Sequence, residues 1–123
     1  MIEVACGIMY NKDNKILMGK RMSTNKSYPK CWEFPGGQKE DNENIHECLK
    51  REWMEELNLH IEINKEIHQS VNDNKYHCRF FIGKILDETN LQQNEHDEIL
   101  FLHKNEIYKL DLFKGDNLVV DKL

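Results

Sequence analysis

Proline is scarce in this chain, with 2 residues among 123, and glycine is held to 6. No Pro-rich or Gly-rich stretch, no internal repeat and no low-complexity segment breaks it up. Long apolar runs are missing as well: none approaches the roughly 20 residues that a membrane-spanning helix needs, so no membrane partner is expected. The start, MIEVACGIMY, lacks a basic stretch followed by an apolar run and a small-residue cleavage site. It reads as a first strand and not as a secretory leader. Positive charge is also short, since the formal net charge is −5. That excludes a broad, sequence-independent grip on nucleic acid. An acidic protein that takes a polyanion needs local basic groups or bridging cations. The four cysteines, Cys6, Cys31, Cys48 and Cys78, form no Cys-x-x-Cys pair. Their spacing fits neither a zinc site nor a disulfide framework, and free thiols in a cytoplasmic protein are expected.

What is present is ordinary globular material, 39% hydrophobic and 32% charged. The length predicts one domain over residues 1–123, with a core of its own. Ile2 to Tyr10 alternates as a strand does. Asn11 to Asn14 is a turn, and Lys15 to Arg21 completes a hairpin. A polar loop over Met22–Lys30 leads to Cys31-Trp32-Glu33-Phe34-Pro35-Gly36-Gly37, where Pro and two Gly should end any regular element. A helix is predicted to start at Asn42–Asn44 and stop at Asn58, residues suited to the two caps. His60–Val71 and Lys75–Leu86 read as extended segments joined by a turn at Asn72-Asp73-Asn74. A polar stretch, Asp87–Glu98, precedes a short strand over Ile99–His103. Asn105–Lys109 and Asp116–Leu123 look helical. Strands around one central helix with a helical end make a mixed α+β domain.

The central helix poses a physical problem. At about 100° per residue, Ile45, Cys48, Leu49 and Trp53 form one apolar stripe. Glu52 and Glu56 fall inside that stripe and Glu55 flanks it, at the helix end that least favours negative charge. Acids beside a buried face cost several kcal/mol each unless they are paired or bound to a cation. Arg51 and Glu55 have the i, i+4 spacing of an ion pair, which suits an ordinary solvated helix face. That reading leaves Glu52 and Glu56 unexplained. A hard divalent cation, Mg2+ or Mn2+, explains them, because clustered carboxylates suit it. The Asp-x-Asp loop of an EF-hand is absent.

Gly37, Glu43 six residues on, and Arg51-Glu52-Trp53-Met54-Glu55-Glu56-Leu57-Asn58-Leu59 resemble the Nudix box, G-x5-E-x7-R-E-U-x-E-E-x-G-U. Every charged position matches. Trp53 replaces the usual aliphatic residue and Asn58 the last Gly; Asn is the best substitute for Gly at a left-handed position. Trp32-Glu33-Phe34-Pro35-Gly36-Gly37 is similar to the lead-in of the MutT and CTP pyrophosphohydrolase branch. Lys20-Arg21, Glu95-His96 before Phe101, and Leu110 to Asp116 resemble further stretches of that branch. Together these matches span nearly the whole chain.

The resemblance implies an α/β/α sandwich with a mixed central sheet and the Nudix-box helix. It implies an enzyme that hydrolyses a nucleoside diphosphate linked to another group. Glu52, Glu55, Glu56 and Glu95, with Gly36, would hold Mg2+, for which Mn2+ is the natural substitute. Arg51 would orient the acids and Glu43 support the loop. Arg21 would contact a phosphate, and Gly36 and Gly37 would let the backbone turn beside the ligand. Asp116 would sit at the base-recognition position, with Glu33 and Phe34 along the pocket. An ionised Asp only accepts hydrogen bonds, so it suits an exocyclic amine, or must be protonated to read a purine. His96 reads as a surface histidine. The expected reaction is cleavage of a (deoxy)nucleoside triphosphate to monophosphate and pyrophosphate, in keeping with nucleotide-pool sanitation, by a monomer or homodimer. The alternatives are another nucleoside diphosphate substrate, such as a dinucleoside polyphosphate or ADP-ribose, and a non-catalytic domain that senses a nucleotide.

Overall fold

The computed structural model describes residues 1–26 and 28–123. Among these residues eight strands, with three helices beside them, form one mixed sheet: β1 (Ile2–Tyr10), β2 (Ile16–Arg21), β3 (Trp32–Glu33), β4 (Gly36–Gln38), β5 (Ile61–Glu66), β6 (Val71–Asp73), β7 (Tyr76–Ile85) and β8 (His96–Leu102). The helices are α1 (Ile45–Leu57), α2 (Lys104–Ile107) and α3 (Asp116–Val120). β1 lies at the centre and pairs in parallel with β7 along its whole length, from Ile2 opposite Tyr76 to Tyr10 opposite Lys84. β5 and β6 add antiparallel to the far side of β7.

The first hairpin closes where expected. Asn11 accepts from the N–H groups of Asp13 and Lys15, and Asn14 takes the left-handed conformation. Beyond the turn the two strands part. Only Tyr10 and Ile16 face each other. The rest of that edge of β1 goes to β4, and β2 pairs instead with β8 and β3.

Side-chain alternation divides the core between the two faces of the sheet. Ala5 and Met9, Leu17, Phe81 and Ile85 pack against Cys48, Leu49, Trp53 and Leu57 of α1. Ile8, Ile16, Met18 and Phe80 pack on the other face against Trp32, Ile107, Val119 and Val120. Each large apolar side chain so buried contributes about 1.5–3 kcal/mol. Trp53, the bulky residue of the box, is fully buried. Its indole lies where a Cβ on Gly7 would sit, and its Nε1 donates to the Pro35 carbonyl at 2.9 Å.

The helix begins and ends as its caps predict. Asn44 accepts from the Glu47 N–H while the Glu47 side chain accepts from the Asn44 N–H. Asn58 closes the helix at φ 55°, ψ 41°. Other expectations are corrected. Gly36 and Gly37 do not end regular structure; they form β4, because Gly36 crosses so near β1 that a Cβ would meet the Ala5 carbonyl oxygen at 1.8 Å. His60–Val71 is not one extended segment. β5 bulges between Ile63 and Lys65 and stops at Glu66, and β6 begins anew at Val71. The following turn centres on Asn74 and Lys75, with Asn74 left-handed, and Asn72 and Asp73 belong to β6. β8 starts at His96, inside the stretch read as loop. The loop predicted over Met22–Lys30 includes Ser27, which lies outside the described residues.

Candidate functional site

A cavity of about 500 Å³ opens between the acidic end of α1, the segment Glu33–Gln38, the start of β8 and the C-terminal segment. Of the residues singled out in the sequence, Arg21, Glu33, Phe34, Gly36, Gly37, Glu52, Glu55, Glu56, Glu95 and Asp116 all line it. Arg51 does not; it stands beside the wall and ties the acids together.

Arg51 binds Glu43 through two hydrogen bonds, Nε to Oε2 at 3.0 Å and Nη2 to Oε1 at 2.8 Å. Its Nη1 reaches Glu52 at 2.9 Å and Glu55 at 3.2 Å, and Nη2 donates to the Gln38 carbonyl at 3.1 Å. This forked geometry fits a planar guanidinium. It lowers the Glu43 carboxyl to about 2. Glu52 lies over Gly37, where a Cβ would come within 2.4 Å of its carboxyl carbon. Glu55 is exposed.

Glu56 is the extreme case. It is 6% exposed, and among the described residues its buried Oε2 has no hydrogen-bond partner. Burial, then contact with Glu52, then the charges of Glu33, Glu52 and Glu95 push its carboxyl up to about 10. Burial also pushes Glu52 up, against the pull of Arg51. Acids crowded this way, one with an unpartnered oxygen, fit a hard divalent cation, which lowers such carboxyls and accepts their lone pairs. Glu33, Glu56 and His96 also bring one ligand atom each within 4.8 Å of one another, a group able to hold a metal ion.

The other end of the cavity is less charged. Phe34, Val71, Cys78 and Phe80 line it, with Phe34 edge-on to Phe80 at 6.1 Å. Asp116, the first residue of α3, is buried there and accepts from the Phe34 N–H. Burial, with the nearby Glu33 and Cys78, pushes its carboxyl well above the usual range. Arg21 sits between the two ends: Nη1 donates to Glu33 Oε1 at 2.8 Å, and the guanidinium lies 5.1 Å from the centroid of Phe113.

His96 is where the sequence reading failed. It is no surface residue but 5% exposed, and its Nε2 donates to Glu33 Oε2 at 2.9 Å. The polar stretch around it hid a strand, because Asp97 and Glu98 face outward. Only an alternation extended back through those acids would have turned His96 inward. Phe113, Tyr76, Cys6 and Cys78 also line the cavity and were not singled out for it.

The sequence profile of the NUDIX domain family matches residues 2–122. An 8-oxo-dGTP diphosphatase of Proteus vulgaris is 33% identical over 60 residues, 49% of this chain and 53% of that protein. One from Buchnera aphidicola is 44% identical over 59 residues, 47% of this chain and 43% of that protein. The chain spans about half the length of the curated relatives it matches. Among solved structures, the E. coli ORF135 protein superposes with a TM-score of 0.79 at 25% identity, covering 99% of this chain and 87% of that one.

Proposed function

The chain belongs to the NUDIX domain family, and from that premise we propose that it is a Mg2+-dependent hydrolase acting on nucleoside triphosphates. The reaction is scission of the bond between the α- and β-phosphates by water, giving a monophosphate and pyrophosphate. The observation that carries the reading is Glu56, a buried carboxyl in the wall of a nucleotide-sized cavity, with an oxygen unpartnered among the described residues.

Glu52, Glu55, Glu56 and Glu95, with the Gly36 backbone, would hold the cation. When bound, it neutralises phosphate charge and eases deprotonation of the attacking water. Arg51 keeps the acids aimed, since it holds Glu43, Glu52 and Glu55 at once. Glu56 accepts the proton of the attacking water. Arg21 offers positive charge to the phosphates, and Phe34 and Phe80 wall the base. Burial pushes the Asp116 carboxyl up, toward the neutral form that can donate as well as accept. That direction suits a purine keto group and agrees with the 8-oxo-dGTP diphosphatase name of the relatives.

The test is a panel of nucleoside triphosphates with Mg2+, with 8-oxo-dGTP and CTP among them, assayed for pyrophosphate against phosphate. Pyrophosphate release with an oxidised purine nucleotide ahead of CTP is the expected result. Phosphate alone would refute the reading.

A further inference from the structure

We infer that His96 and Glu33 form a positioning pair that holds Arg21 and Glu56 at a set separation across the cavity floor. The inference rests on the hydrolase reading above and adds two residues to its machinery.

The pair is built by backbone geometry. β8 runs antiparallel to β2, but the register slips: Lys20 faces Glu98, Arg21 faces His96, and Asp97 is left without an opposite residue. Such a bulge re-aims the side chains beside it. Here it turns His96 under the sheet, onto Gly19. The ring occupies the place of a side chain at Gly19, where a Cβ would stand 2.5 Å from the ring Cδ2 and 2.7 Å from Nε2. Gly19 is thus the seat of the ring, and no larger residue leaves room for it.

From that seat two hydrogen bonds and a close approach cross the floor. Arg21 Nη1 donates to Glu33 Oε1 at 2.8 Å. Glu33 Oε2 accepts from His96 Nε2 at 2.9 Å. The same Nε2 lies 3.8 Å from Glu56 Oε1. These contacts join the cation offered to phosphate with the acid offered to metal and water. A misplacement of about 1 Å between such groups can cost about a hundredfold in rate.

The three ligand atoms of Glu33, Glu56 and His96 would also suit an ion, but the ring itself argues for a strut. Nε2 carries its proton toward Glu33. An ion on Nε2 would displace that proton to Nδ1, which is buried with no hydrogen-bond partner among the described residues. A metal-binding histidine ordinarily has a partner for its second nitrogen. His96 has none among the described residues, so its chemistry is donation to Glu33.

The experiment compares His96→Phe, which keeps a ring on Gly19 but removes the donor, with His96→Gln, which keeps an N–H at similar reach. Steady-state kinetics with Mg2+ should show kcat down about tenfold or more in His96→Phe, with KM within about twofold. His96→Gln should recover most of the loss, and Glu33→Gln combined with His96→Phe should cost no more than the worse single change. Wild-type kcat in His96→Phe, equal losses in kcat and 1/KM, or no recovery in His96→Gln would overturn the pair. If His96→Phe does not fold, Glu33→Gln alone carries the test through side-chain ¹H–¹⁵N spectra. The His96 Nε2 resonance should shift while those of the other five histidines stay, and an unmoved resonance overturns the pair. This last readout needs no turnover. A wild-type protein that hydrolyses nothing while its His96 signal responds to Glu33→Gln refutes the hydrolase reading and leaves the pair standing.

Discussion

Glu56 is buried among other acids in the cavity, and its exchange for Gln separates folding from chemistry. With its carboxyl pushed up to about 10 by burial, Glu56 holds a proton at neutral pH in the cation-free protein. Gln matches that neutral side chain in shape. Glu56→Gln should therefore melt with the wild type when no metal is added, yet lose at least about a hundredfold in rate, the size of a general-base effect. Circular dichroism and a pyrophosphate assay check the two halves. Glu43 has the opposite behaviour. Arg51 lowers its carboxyl from 4.5 to about 2. A depressed pKa stabilises the fold above the unfolded value, and the gain is lost as pH falls from about 4.5 toward 2. Urea unfolding at stepped pH should show Glu43→Gln less stable than wild type at neutrality, with the gap closing through that acid window.

At the scale of elements, α1 was legible at both ends because its caps are chemical signals. The Asn42–Asn44 stretch announces the start, which falls at Asn44, and Asn58 the left-handed stop. Asn58 also donates from Nδ2 to the Asn90 carbonyl at 3.0 Å, so it does more than replace glycine. Asn58→Ala should lower stability by about 1 kcal/mol, because it keeps the Cβ in the left-handed region but loses the amide that bonds Asn90 and makes that conformation tolerable for Asn. Asn58→Gly should cost less, losing only the contact with Asn90; chemical denaturation distinguishes them. The acids of the box and their lead-in were legible too, since ten of the eleven predicted site residues line the cavity. The strands read less well, for separate reasons. β4 was invisible because its glycines have no side chains to alternate. β8 was cut short because His96, Asp97 and Glu98 look like a loop, and the bulge after Lys20 breaks their period. β5 also carries a register slip against β7 between Ile63 and Lys65, which no local signal marks.

At the scale of the whole molecule, the cavity draws its wall from both ends of the chain, from Val4 on β1 to Asp116 on α3. A cation held there therefore supports several elements at once. Millimolar Mg2+ should raise the melting temperature, since a ligand at a hundred times its Kd adds about 2.7 kcal/mol. Thermal melts of Glu52→Gln and Glu56→Gln should show that rise reduced or lost. β1 holds the centre of the sheet, yet its longest partnership is with β7, Ile2 opposite Tyr76. Closing so long a loop costs entropy before any parallel pairing repays it. Refolding should thus be a matter of milliseconds to seconds, the pace of chains ruled by distant contacts. Until β7 has left the ribosome β1 has no mate along its parallel edge, and the nascent chain carries that side of an apolar strand open.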